Sequence, residues 1–132
     1  MITDVQRLWL RTNGALLGRT FIGLLFLVSG IGMFQSMGIA GVSGMIDGMG
    51  IPLAGPLAVL VLLVKILGGT GLILGYRIDE SALALFIFTF LTIVLVHNNS
   101  AELTSALKNL AIMGGLLYVL AYGPGDGWRM AK

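Results

Sequence analysis

The chain has 132 residues, 57% of them hydrophobic and 11% charged, with a net charge of +2. A soluble domain of this length has too high a surface-to-volume ratio to hide so much apolar surface, so the natural solvent is the bilayer. The small, scattered positive charge gives no basis for a nucleic-acid partner. With no cysteine and one histidine, His97, the chain by itself forms no disulfide, thiol relay, iron–sulfur site or bis-histidine haem.

Residues 3–13, "TDVQRLWLRTN", read as a short interfacial helix, with Trp9 at headgroup depth and Arg7 and Arg11 toward phosphate. A cleaved signal peptide fits less well, because the apolar stretch that follows Arg19 is too long. Residues 20–46 carry no charge, 48–76 carry only Lys65, and 81–96 and 109–125 carry none. A helix needs about 20 apolar residues to cross the hydrocarbon core. Four spans follow, at about 17–34, 53–75, 81–96 and 105–122, and short connections make consecutive spans antiparallel neighbours. The expected fold is an all-α integral membrane four-helix bundle forming a single domain over 1–132.

The connection between the first two spans, "QSMGIAGVSGMIDGMGIP", is glycine-rich and nearly uncharged. Ile39, Val42, Ile46 and Met49 recur at near-helical spacing. This predicts a short amphipathic or re-entrant segment at the interface, with a flexible glycine-rich loop as the alternative. Orientation follows from the basic residues. Arg7, Arg11, Arg19, Arg77, Arg129 and Lys132 fall on the side of the termini, and Lys108 alone lies opposite. Both termini are therefore expected in the cytoplasm, with the chain multi-pass in a bacterial inner membrane. Arg19 is expected to be a snorkelling anchor that helps set topology, alongside Arg7, Arg11, Trp9 and Arg77.

Three segments, "GRTFIGLLFLVSGIGMF" (18–34), "GIPLAGPLAVLVLLVKILGGTGLILGYR" (50–77) and "LKNLAIMGGLLYVLAYGPGDGW" (107–128), together resemble the DoxX family of small bacterial membrane proteins. The resemblance implies a four-helix membrane architecture. The family takes its name from a subunit of a thiosulfate:quinone oxidoreductase, and other members are linked to membrane oxidoreductase assemblies. The resemblance also brings an arginine at Arg19. It places a glutamate where Lys65 stands and a lysine where Met33 stands, so here a carboxylate has become a cation and a cation has become neutral.

Lys65 lies about 18 Å along the second helix, near the bilayer centre. A lysine there costs roughly 2.5–3.5 kcal/mol on insertion scales. Its own helix face carries Gly68, Gly69 and Leu72, small enough for a neighbouring helix to close in, so this face should point into the bundle. No carboxylate of the chain shares its depth. Three readings stand: a brace on backbone carbonyls, a pair with a carboxylate of a partner subunit, or a donor to a lipophile such as a quinone. The stem is too short to snorkel.

His97, Asn98, Asn99, Lys108 and Asn109 are expected to converge at one end of the bundle, as the mouth of any cavity leading to Lys65. The pattern offers no metal ligand set and no catalytic constellation. The preferred expectation is an accessory subunit of a quinone-linked membrane oxidoreductase, surrounded by lipid and bound to other membrane subunits. It has no intrinsic cofactor; a bound quinone or lipid is the associated expectation. The alternatives are an assembly factor and a stand-alone binder of a small lipophile.

Overall fold

A computed structural model of the protein describes residues 1–97 and 99–130. Among the described residues every regular element is helical: α1 Asp4–Trp9, α2 Ala15–Gly48, α3 Ala54–Leu74, α4 Ile78–Leu95 and α5 Leu103–Tyr122, with a π-helical turn at Leu10–Gly14 and a 3-10 turn at Ser100–Glu102. Four helices among the described residues are long and apolar enough to cross a membrane. α2 packs on α3, α3 on α4 and α4 on α5, and α5 returns to α2 through a smaller contact.

Thr3 and Gln6 open α1 with reciprocal side-chain bonds to each other's backbone N–H, at 3.2 and 2.9 Å. The expected separate interfacial helix at 3–13 is instead continuous with the first span, because the π-helical turn Leu10–Gly14 joins α1 to α2. Every backbone angle at the joints is right-handed helical, so nothing breaks the axis. Trp9, Arg7 and Arg11 are exposed along it.

α2 runs well past the expected end at residue 34. It kinks at Gly38, whose φ of 66° suits a residue without a Cβ, and continues to Gly48. The connection expected to be interfacial is therefore a helix packed on α3. Val42 and Ile46 are buried against Ala58 and Leu62, while Ile39 and Met49 lie 44% and 39% exposed. The periodicity located the helix, but only half of the four spaced residues face inward.

α3 begins after Leu53. Pro56 sits in its first turn, where a missing N–H costs nothing. At about 1.5 Å per residue its 21 residues match the hydrocarbon thickness. Gly75 closes α3 at φ 68°. α4 starts at Ile78, three residues earlier than expected, with Asp79 and Glu80 in the first turn, where the helix dipole favours anions.

The interior is split into two apolar clusters. One joins Phe26, Leu72, Ala82, Leu85 and Leu116 near the end that carries the termini. The other joins Val42, Ile46, Ala58 and Leu62 at the opposite end. The outward faces of the spans are apolar too, with Phe21 64% and Leu67 63% exposed. That is the surface a lipid-facing bundle must present.

A buried cation beneath the lipid-facing surface of α2

Lys65 falls between the two clusters, about 17 Å along α3. It is 6% exposed. Its ammonium donates to Ser29 Oγ on α2 at 2.6 Å and lies 5.8 Å from the centre of the Phe88 ring on α4. Phe88 in turn meets Phe26 edge to face, with ring centres 6.4 Å apart. A ring face attracts a desolvated cation, but more weakly than an anion does.

Glycines bring these groups together. A Cβ on Gly30 would lie 3.0 Å from Lys65 Cβ, so α2 can press onto α3 beside Ser29 only because residue 30 lacks one. Lower down, a Cβ on Gly69 would lie 2.6 Å from Gly23 O and 2.7 Å from Leu27 N, a backbone-to-backbone approach of α2 and α3. Gly68 faces the other way, toward Leu85 of α4. The pair Gly68-Gly69 thus seats two different helices, and both glycines are buried with Lys65 and Leu72.

Arg19 is not the lipid-facing anchor expected from the sequence. It is 1% exposed and holds four backbone carbonyls. Nη1 donates to Leu72 O at 2.8 Å and Ile73 O at 3.1 Å, Nε donates to Pro124 O at 3.2 Å, and Nη2 donates to Trp128 O. The first two are unpaired carbonyls of the last turn of α3, where a cation also complements the helix dipole. Met130 N donates to Leu74 O at 2.6 Å, and Gly75 and Tyr76 donate to Gly71 O. The whole C-terminal turn of α3 is thereby satisfied. Residues 123–130 form a strap across that end of the bundle. Gly125, at φ 82°, passes so close to the start of α2 that a Cβ there would lie 2.5 Å from Ala15 Cβ, and a Cβ on Gly127 would lie 2.5 Å from Thr12 O in the π-helical turn before it.

Arg77 is exposed, as an anchor would be, and donates to Glu80 Oε1 at 3.0 and 3.2 Å. That bond, and then the carboxylate's charge, raises its pKa above the usual arginine value. Both side chains are more than half exposed, so the pair contributes little to stability.

The polar end separates into parts. His97 Nδ1 lies 3.0 Å from Glu102 Oε2, and Asn99 Oδ1 accepts from Glu102 N at 3.2 Å. Asn98 lies outside the described residues. Lys108 is exposed and Asn109 half-buried on α5, and among the described residues neither joins the His97–Glu102 pair. Two concavities lie away from this end: a dish of about 450 Å³ on the outer face of α2, with Ser29 in its wall, and a groove of about 630 Å³ along α3 and α4 that opens at Tyr76, Arg77 and Glu80. Among the described residues no group of His, Asp or Glu could hold a metal.

Sequence reasoning missed Ser29, Phe88 and the carbonyl partners of Arg19. The one local signal was the Ser-Gly dipeptide at 29–30, a small polar residue beside a residue that permits close approach.

The sequence model of the DoxX family matches residues 14–98, well over half of the chain. The protein belongs to the DoxX family and is a small multi-pass membrane protein. The match takes in α2, α3 and α4, and stops before α5 and the strap, so the quoted segment 107–128 falls outside it. Comparison with curated proteins and with solved structures finds no match.

Proposed function

We propose that this protein is an accessory subunit of a quinone-linked membrane oxidoreductase, held in a bacterial plasma membrane with both termini in the cytoplasm. The observation that carries the reading is Lys65, a cation at mid-span whose companions are one hydroxyl and one aromatic ring. Family membership supports the redox setting, because the family takes its name from a subunit of a thiosulfate:quinone oxidoreductase. The electron-carrying centres belong to other chains, and this chain contributes a docking face. Mass spectrometry of the intact particle, after gentle extraction from native membrane, tests it. Co-migration with haem- or flavin-bearing subunits is the expected result. A particle of this chain and lipid alone overturns the reading.

A second reading, a stand-alone binder of a lipid or quinone, is favoured by the α3–α4 groove, which has apolar walls and a polar mouth at Tyr76 and Arg77. A quinone or a defined lipid recovered with a particle of this chain alone is its expected signature.

A further inference from the structure

We propose that the dish on the outer face of α2, walled by Phe21, Leu24, Leu25, Val28 and Ser29, docks a transmembrane helix of another protein that carries a carboxylate at mid-membrane depth. The carboxylate accepts the O–H of Ser29, and the ammonium of Lys65 stands behind that hydroxyl. This inference rests on the accessory-subunit reading and names the contact through which it operates.

Ser29 supplies the first argument. A serine hydroxyl has one donor and two acceptor positions. Three threonines of these spans, Thr70, Thr89 and Thr92, donate to the carbonyl four residues back, at 2.7 to 2.9 Å. Ser29 makes no such bond. Its hydrogen bond among the described residues is the one it accepts from Lys65, which leaves its own O–H to point elsewhere. The residue is exposed on the lipid-facing surface, where no water is available to accept that proton.

Charge supplies the second. Lys65 is more than nine-tenths buried, and its ammonium is directed at the wall of the dish. The six acidic side chains lie at the ends of the bundle: Asp4 in α1, Asp47 at the end of α2, Asp79 and Glu80 in the first turn of α4, Glu102 before α5, and Asp126 in the strap. An anion at the depth of Lys65 therefore has to come from outside. A second copy of this chain would bring another lysine to the same place, because a two-fold contact matches each patch with itself. The complementary partner is a different chain.

Shape supplies the third. Gly18 and Gly32 flank the dish at seven-residue spacing from Leu25, on the same helix face, and a Cβ on either would meet nothing within 4 Å. Open glycines on one face let a second backbone come close enough for a short carboxylate side chain to reach Ser29.

The test uses the intact protein in lipid vesicles and a synthetic leucine-rich transmembrane peptide with one central glutamate, followed by fluorescence energy transfer. The expected result is association about tenfold tighter than that of the all-leucine peptide. Ser29→Ala and Lys65→Met should each abolish the difference, and Val28→Trp should block both peptides by filling the dish. Equal association of the two peptides, or a glutamate preference that survives Ser29→Ala, overturns the proposal. If the native particle holds other subunits while the peptides bind equally, the docking site falls and the accessory-subunit reading stands. A native particle of this chain alone removes both.

Discussion

Arg19 spreads its charge over four backbone carbonyls, whereas Lys65 has one hydroxyl and the face of one ring. The guanidinium is a planar fork, so it can serve carbonyls of α3 and of the strap at once. A lysine at position 19 would keep the charge and lose the fork. Arg19→Lys is expected to cost about 3 kcal/mol in detergent unfolding, the worth of one or two charge-assisted bonds, and to speed tryptic cleavage after Arg129. An unchanged midpoint and an unchanged cleavage rate would show that the strap is held by something else. Lys65 should behave in the opposite way. In the isolated protein, Lys65→Leu removes the cost of an ammonium in the bilayer and fills similar volume, so the unfolding midpoint should hold or rise. A fall of several degrees would mean that the Ser29 and Phe88 contacts brace the bundle themselves.

At the scale of elements, the glycines divide into two kinds that look alike in the sequence. Gly69 and Gly23 set the separation of α2 and α3, and a Cβ on either would strike the backbone of the other helix. Gly114 faces open space on α5. Gly69→Ala is therefore expected to destabilise the bundle by about 1–3 kcal/mol, as overpacking does. Gly114→Ala should instead gain up to about 1 kcal/mol of helix propensity. Thermal unfolding of the two variants side by side checks the contrast, and equal effects would contradict the close approach. The helices themselves were legible from runs of near-spanning length that carry at most one charge, because the bilayer imposes that pattern locally. The kink at Gly38 and the return of Val42 and Ile46 onto α3 were legible only as a period. A period tells that one face is buried, but not which neighbour covers it.

Across the whole molecule, the strap closes the end where α2 begins and α3 finishes. A chain lacking residues 124–132 would leave Arg19 without Pro124 O and Trp128 O, and Leu74 O without Met130 N. It should still insert, since no span is shortened, but its unfolding midpoint in detergent should drop at least as far as that of Arg19→Lys. Equal stability of the shortened and full chains would show the strap to be a passive tail. The sequence by itself determined that this is a membrane protein of four spans and placed a cation in the middle of one. Those follow from hydropathy and charge, which each residue carries wherever it sits. Tertiary structure alone decided that Arg19 is a buried clamp, since its partners stand 53 to 109 positions away, and that the neighbour of Lys65 is a lipid-facing serine 36 positions back. Such pairings depend on how closely two backbones approach, and that is set by which glycines meet across an interface.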